Sequence, residues 1–171
     1  GRDGEEVNAA LASIVTVPMK VLLVHTDVEI RSSAVSLLGE MFENLVSAGH
    51  IEVLHSRTTH FFAQFFVERL NDYESVGGCL QALLSILESS QTSVDDAQNV
   101  LDALQTLQVQ PMIQKWRHYA LRLYRKLISS PLLFDRFVKQ KYFVRVVLAF
   151  KDAMYHEPDP RCILECLAIV K

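Results

Sequence analysis

The sequence predicts an all-α fold, a right-handed α-solenoid of about four antiparallel helix pairs of the HEAT or armadillo kind. Arg31, Arg117 and Arg161 each stand three residues before a small or apolar residue and six before a Leu. Arg31 and Arg117 are 86 residues apart, or two periods of 43, and Arg117 and Arg161 are 44 residues apart. A similar frame, without the Arg, begins at Val76, between Arg31 and Arg117. We call the four starting positions, Arg31, Val76, Arg117 and Arg161, slots. A helical frame that recurs every 40-odd residues is typical of stacked helix pairs.

Composition supports helices and argues against several other classes. Half of the 171 residues are hydrophobic and 9% are aromatic, which argues against disorder. No apolar run approaches ~18 residues, so we expect no membrane span. The polar start lacks the apolar core of a signal peptide, and three Cys then suggest a reducing compartment, cytoplasm or nucleus.

The first repeat begins in an apolar stretch, Val7 to Val24, which Pro18 is expected to kink or split. Thr26-Asp-Val-Glu29 has the spacing of a capping box, with Thr26 as the N-cap. Apolar residues at three- and four-residue spacing then predict a long helix. Gly49 is expected to end it in the left-handed conformation.

The second repeat is predicted as two helices, from about Arg57 to Leu70 and from about Tyr73 to Leu87. They meet at the corner Asn71-Asp72. Gly77-Gly78 costs helix stability, and its plausible use is the close approach of a neighbouring backbone. An aromatic face on the first helix indicates packing: Phe61, Phe62, Phe65 and Phe66.

The third repeat begins after the polar linker at residues 89–93. Ser93 and Asp96 form a second capping pair for a helix from Val94 to Leu107. Pro111 is expected to open the next helix, from Met112 to Ile128, which holds the only Trp.

The fourth repeat is predicted to start with a short helix from Pro131 to Val138, capped by Ser130. A helix from Tyr142 to Met154 follows, and Glu157-Pro-Asp-Pro160 forms a corner into the last helix. We therefore expect one HEAT-repeat domain over residues 1–171, a fragment of a longer solenoid. Its approximate repeats are 5–48, 56–88, 93–129 and 131–171.

The recurring Arg is interpreted first as a structural residue. In HEAT repeats an Asp at the turn and a basic residue early in the second helix hydrogen-bond between neighbouring units. The sequence offers six such structural positions: Asp27, Arg31, Asp72, Arg117, Asp159 and Arg161.

Charge is strongly polarised along the chain. Residues 1–114 hold 5 basic and 15 acidic side chains, whereas residues 115–145 hold 9 basic and 1 acidic. Such a distribution can steer a partner of opposite sign, although a solvated face on two helices is the plain alternative. The candidate partner-binding basic face consists of Lys115, Arg122, Arg125, Lys126, Arg136, Lys139, Lys141 and Arg145.

Motifs for catalysis or cofactor binding are not found in the sequence. It has no His-Glu-x-x-His spacing, no Gly-rich phosphate loop and no Gly-x-Ser-x-Gly elbow. Cys162 and Cys166, with His156 nearby, could ligate a metal, but a fourth ligand is not in sight and packing is favoured. We expect a protein that is not an enzyme and has no cofactor.

Two stretches resemble one HEAT family in particular. Phe65-Phe66-Val-Glu-Arg69-Leu70-Asn-Asp72, followed by Leu80-Gln-Ala82-Leu83, is similar to the N-terminal domain of the Mms nineteen proteins, called methionine eighteen in budding yeast. The segment from His156 to Leu164 resembles the family's Gly-Glu-Lys-Asp-Pro-Arg-Asn-Leu-Leu. The resemblance covers roughly residues 26–171.

The resemblance implies a scaffold of the cytosolic iron–sulfur assembly targeting complex. Such a scaffold brings assembly factors to apoprotein clients in DNA replication, repair and transcription, including DNA polymerases, primase and helicases. The family's assembly partners dock mainly on its C-terminal part, so this N-terminal piece would face clients or other copies of the scaffold. The implied location is cytoplasmic and nuclear, with no membrane partner.

Two other functions stay open at the level of sequence. One is a HEAT or armadillo adaptor of another pathway, such as transport or trafficking. The other is a helical repeat that binds nucleic acid through residues 115–145. Only a few aromatic residues lie between the basic residues of this segment, so direct nucleic-acid binding is a secondary interpretation.

Overall fold

The computed structural model describes residues 5–6, 9–10, 13, 18–107, 109, 112–139 and 143–170. Over these residues the protein is helical and contains no strand, which confirms the all-α prediction. The sense of a superhelix, the number of repeat pairs and the single domain stay predictions. The α-helices are α1 Pro18–Leu23, α2 Val28–Ser47, α3 Ser56–Arg69, α4 Val76–Ile86, α5 Val94–Thr106, α6 Gln114–Ile128, α7 Pro131–Val138, α8 Phe143–His156 and α9 Pro160–Val170.

The chain divides into two compact units, an N-terminal unit of residues 1–96 and a C-terminal unit of residues 97–171, with the boundary inside α5. Each unit has its own core. None of the described helices is both long and apolar enough to cross a membrane.

The N-terminal unit is built around α4, which packs against both α2 and α3. All 11 residues of α4 are buried. Aromatic rings fill the space beside it: Phe42 meets Phe62 edge to face with centroids 4.8 Å apart, and Phe66 lies 5.9 Å from Phe42. Phe62 and Phe66 are therefore buried packing residues, as predicted, whereas Phe61 is 44% exposed and lies against the rings of Phe62 and Phe65.

Gly78 lets α2 and α4 approach each other closely. A Cβ at Gly78 would lie 2.9 Å from the backbone nitrogen of Ser36, and one at Gly39 would lie 2.8 Å from the carbonyl oxygen of Gly78. No side chain fits in that space. The predicted close approach of backbones at Gly78 is confirmed.

The ends of α2 show one correct and one wrong prediction. Gly49 has φ of 71°, so the left-handed residue after the helix is confirmed. The predicted N-cap, Thr26, is wrong by one residue: Oδ1 of Asp27 accepts from the backbone N–H groups of Glu29 and Ile30. A carboxylate at Asp27 reaches these donors and is favoured at the positive end of a helix.

The start of α5 confirms the second capping pair. The hydroxyl oxygen of Ser93 accepts from the backbone N–H of Asp96 at 3.0 Å and donates to its carboxylate at 2.7 Å. The other oxygen of Asp96 lies 2.7 Å from Nδ1 of His60 on α3. The first turn of α5 is thereby joined to α3.

The C-terminal unit is built around α6, which packs against α7 and α9, while α8 packs against α9. Tyr124 is buried among rings, with Phe150 5.0 Å away edge to face and Phe137 at 6.5 Å. Helix α6 begins at Gln114, two residues after the prediction, and Pro111 lies outside the described residues. Helix α7 has the predicted bounds.

Candidate functional site

A contact between side chains 41 residues apart joins the start of α2 to the corner before α4. The Nε of Arg31 donates to Oδ2 of Asp72 at 2.7 Å, and its Nη1 donates to the carbonyl oxygen of His25 at 2.9 Å. The hydroxyl of Ser75 donates to the same carboxylate at 2.9 Å. We call this arrangement, an Arg at the start of one helix paired with a carboxylate 40 or 41 residues later, a rung.

A second rung joins the start of α6 to the corner before α9. The Nε and Nη2 of Arg117 donate to the two carboxylate oxygens of Glu157 at 2.6 and 2.7 Å. Its Nη1 donates to the carbonyl oxygen of Met112, as Arg31 does to that of His25. The bidentate geometry and the low exposure of both side chains make this the stronger rung.

The rungs shift the pKa values of their members. A hydrogen bond from Arg31 holds the pKa of Asp72 below its ordinary value, and two hydrogen bonds from Arg117 do the same for Glu157. The pKa of each arginine is raised in turn by the hydrogen bond to its carboxylate. All four groups are therefore charged at neutral pH, and each rung is an ion pair within one unit.

Arg161 and Asp159 form a local pair instead of a rung. The backbone N–H of Arg161 donates to Oδ1 of Asp159 at 2.9 Å, and its Nη2 donates to Oδ2 at 3.0 Å. Hydrogen bonds from Arg161 hold the pKa of Asp159 far below its ordinary value. Asp159 thus serves the start of α9, and the contact with Arg117 is made by Glu157.

The candidate basic face has a continuous part on α6. Lys115, Arg122 and Lys126 are exposed and lie at spacings of 7 and 4 residues, which places them on one side of the helix. Its length is roughly 16 Å at 1.5 Å per residue. We call these three residues the α6 stripe. Within the described part of the chain, neither Lys115 nor Arg122 has a carboxylate partner.

The neighbouring side of α6 is partly neutralised. Nη1 of Arg125 lies 3.1 Å from Oε2 of Glu165 on α9, and Nε2 of His118 lies 3.7 Å from Oε1 of the same carboxylate. Burial lowers the pKa of His118, and Glu165 opposes this shift. At neutral pH His118 therefore adds little charge, and Glu165 offsets that of Arg125.

The remaining candidates lie farther along the chain. Arg136 and Lys139 are exposed, on α7 and at its end. Arg145 belongs to α8, but its side chain is outside the description, and Lys141 lies outside the described residues. The structure thus presents the α6 stripe as one surface.

The three cysteines are buried thiols. Burial raises the pKa of Cys79 and Cys162 to about 12 and that of Cys166 to about 11, so the thiolate that binds metals is disfavoured. Among the described side chains, no three His, Cys, Asp or Glu residues are grouped as metal ligands.

The sequence analysis did not predict a role for Glu157, although its position relative to Arg161 contains a signal for it. Asp72 lies four residues before the slot at Val76, and Glu157 lies four residues before Arg161. A search for carboxylates four residues before each slot would have chosen Glu157 over Asp159. The same rule selects Asp27 before Arg31 and finds an apolar residue, Ile113, before Arg117.

Comparison with known proteins identifies the family. A family model described as MMS19_N, Dos2-interacting transcription regulator of RNA-Pol-II, matches residues 17–171. Searches of curated proteins and of solved structures give no match. The matched range contains both rungs, the α6 stripe and the two stretches on which the sequence resemblance rests.

Proposed function

The chain belongs to the MMS19 N-terminal domain family, and we propose that it is a protein-interaction module of a scaffold, with no enzymatic activity of its own. The family description names a Dos2-interacting transcription regulator of RNA polymerase II, which is a role in binding other proteins. The fold supports this proposal because stacked helix pairs offer long surfaces made of side chains from successive helices.

The α6 stripe is the observation that carries the proposal. Most charged side chains near the corners have a structural use: Arg31, Asp72, Arg117 and Glu157 form the rungs. Two residues of the stripe have no comparable use, since Lys115 and Arg122 are exposed and make no ion pair with the described carboxylates. A row of positive charge on a rigid helix fits an acidic surface of a partner protein and raises its rate of association.

For the cellular role, we propose that the scaffold helps to deliver iron–sulfur clusters to apoprotein clients of DNA replication, repair and transcription, in the cytoplasm and nucleus. The clusters are cargo of the assembly factors, and the buried thiols of this chain are not assigned to them. In this role the α6 stripe contacts an acidic surface of a client.

Capture from cells tests the cellular role. A tagged protein containing this chain is expected to recover iron–sulfur assembly factors together with cluster-bearing DNA polymerases, primase or helicases, identified by mass spectrometry. Recovery of transport or trafficking proteins in their place would support an adaptor of another pathway. Recovery of neither assembly factors nor cluster-bearing clients would overturn the delivery proposal.

The stripe itself is tested with a matched pair of variants. Arg122→Glu is expected to weaken binding of a recovered client at least about tenfold, because a like charge then faces the acidic surface. Arg57→Glu makes the same change at an exposed Arg on α3 and should leave binding unchanged. Equal effects of both variants would remove the stripe from the interface.

Nucleic acid is the competing ligand for a basic helix. Retention of the protein on duplex DNA or on RNA that falls steeply with salt, and is lost in Arg122→Glu but not in Arg57→Glu, would replace the protein partner by nucleic acid. We expect weak retention with little difference between the two variants.

A further inference from the structure

The α6 stripe has a histidine along its edge. His118 lies three residues after Lys115 and four before Arg122, and residues at these spacings are neighbours on the surface of a helix. Along the helix axis, His118 therefore lies between the first two cations of the stripe. Its side chain is 22% exposed, so a partner that covers the stripe can reach part of the ring.

The surroundings of His118 act in opposite directions on its pKa. Burial lowers this pKa most. Glu165 on α9, whose Oε1 lies 3.7 Å from Nε2 of His118, raises it, and the positive charge of Arg122 lowers it. Weaker effects come from Arg161, which lowers the pKa, and from Asp159, which raises it. None of these described charges belongs to α7, the other helix that packs closely against α6.

An acidic partner would change this balance in favour of the charged imidazole. Lys115 and Arg122 are roughly 10 Å apart along the helix axis, so a partner that contacts both places negative charge close to His118. Its carboxylates would attract a proton to the ring, and they would also offset the charge of Arg122 that opposes protonation. Both effects favour the protonated form of His118.

We propose that His118 belongs to the binding surface of the α6 stripe and takes up a proton when an acidic partner protein binds there. This inference rests on the proposed function of the stripe and adds a dependence on pH. A partner whose binding favours the protonated form binds more tightly where that form is more populated. Binding should therefore tighten as the pH falls from about 8 to about 6, the range in which a histidine near its ordinary state titrates.

Glu165 limits how strongly the site responds. Its Oε2 lies 3.1 Å from Nη1 of Arg125, so the same carboxylate offsets Arg125 and raises the pKa of His118. Without the charge of Glu165, Arg125 would attract an acidic partner more strongly and His118 would be harder to protonate. Glu165→Gln should therefore tighten binding at about pH 8 and reduce the gain in affinity at about pH 6.

Binding of a synthetic peptide of Glu and Ala residues, longer than the stripe, to the full 171-residue chain tests the proposal. Glutamates are ionised above about pH 6, so a change of affinity between about pH 8 and pH 6 reports on the protein. At constant ionic strength, fluorescence anisotropy should show an affinity at least about threefold higher at the lower pH. Calorimetric titration in two buffers with different heats of ionisation should show a net uptake of protons there.

Two histidine variants form a matched pair. His118→Asn should bind the peptide at about pH 8 nearly as the wild type does, and should lose the gain at about pH 6. His50→Asn removes an exposed histidine of the N-terminal unit and should keep that gain. If His118→Asn does not fold, Glu165→Gln gives the test instead, since an unchanged gain at about pH 6 in that variant would contradict the proposal.

The possible failures are distinguishable. Equal affinity at both pH values, with binding still weakened by Arg122→Glu, would leave the stripe in place and remove His118 from it. A gain at low pH that persists in His118→Asn would assign the proton to another group. Equal binding by Arg122→Glu and Arg57→Glu would remove the stripe from the contact, and with it the role of His118.

Discussion

The N-terminal unit holds 5 basic and 14 acidic side chains, whereas the C-terminal unit holds 12 basic and 6 acidic. Both nevertheless contain the same rung, an arginine at the start of one helix and a carboxylate 40 or 41 residues later. The rung recurs in both units, and the overall charge is free to differ because most charged side chains are exposed. The ion pairs that stabilise each unit and the charges that distinguish the two units therefore belong to different residues.

The packing of the two units differs in kind as well. In the N-terminal unit, α2 and α4 approach until backbone meets backbone at Gly78. In the C-terminal unit, the rings of Tyr124, Phe137 and Phe150 fill the space between helices. The first arrangement tolerates no added atom, while the second can adjust through side-chain rotation.

The largest effect is expected from Gly78→Val. The added side chain would meet the backbone of Val35 and Ser36 and force α2 and α4 apart, at a cost of about 3 kcal/mol or more in the free energy of unfolding. Ser33→Val, on the exposed side of α2, is the control and should change the free energy of unfolding by less than about 0.5 kcal/mol, because Ser and Val have similar helix propensities. Urea unfolding at neutral pH gives both values, and similar losses would contradict the close approach.

A smaller effect is expected when each rung loses its charge. Glu157→Gln should lower the free energy of unfolding by about 2 kcal/mol, because two charge-assisted hydrogen bonds from Arg117 weaken in a poorly exposed site. Asp72→Asn should cost about 1 kcal/mol, since Arg31 makes one such bond and solvent screens the pair more.

The two rung variants also test whether the units are stabilised separately. Hydrogen exchange should be faster in α2 and α4 for Asp72→Asn, and in α6 and α9 for Glu157→Gln. Equal acceleration throughout the chain in both variants would instead mean that the two units unfold as one.

The smallest effect is expected from the pH dependence of the rungs. The lowered pKa values of Asp72 and Glu157 mean that each rung stabilises the fold above the ordinary carboxyl pKa, and that this stability is lost as pH falls through the lowered value. Between about pH 7 and pH 3, the double variant Asp72→Asn/Glu157→Gln should therefore lose less stability than the wild type. Urea midpoints measure this, with Glu40→Gln as the control; parallel loss in all three proteins would refute it.

Local signals in the sequence predicted local structure well. The residue types at Gly49, Ser93 and Pro131 correctly placed the end of α2 and the starts of α5 and α7. Helix capping depends on a few neighbouring residues, so helix ends can be predicted from the local sequence without knowledge of the tertiary structure. The error at Thr26 arose because Asp27 beside it satisfies the same donors.

Partners that are distant in sequence were harder to predict. The family pattern indicated the arginines of the rungs, but it favoured Asp159 at the last corner, where the structure uses Glu157. The choice between Glu157 and Asp159 depends on the direction that the backbone takes in the corner before α9, which the sequence does not show. The exposure of the α6 stripe likewise follows from which side of α6 the core occupies, and charge counts along the sequence contain no such information.

Helix α4 has a consequence for how this chain can vary. Its 11 residues, Val76 to Ile86, are all buried, so no position on it faces only water. A new residue at any of them changes a contact with a neighbour, and most substitutions need a second change elsewhere to restore the fit. Substitutions that leave the packing of the N-terminal unit unchanged are therefore open to exposed positions of α2 and α3, while α4 constrains how those two helices are placed.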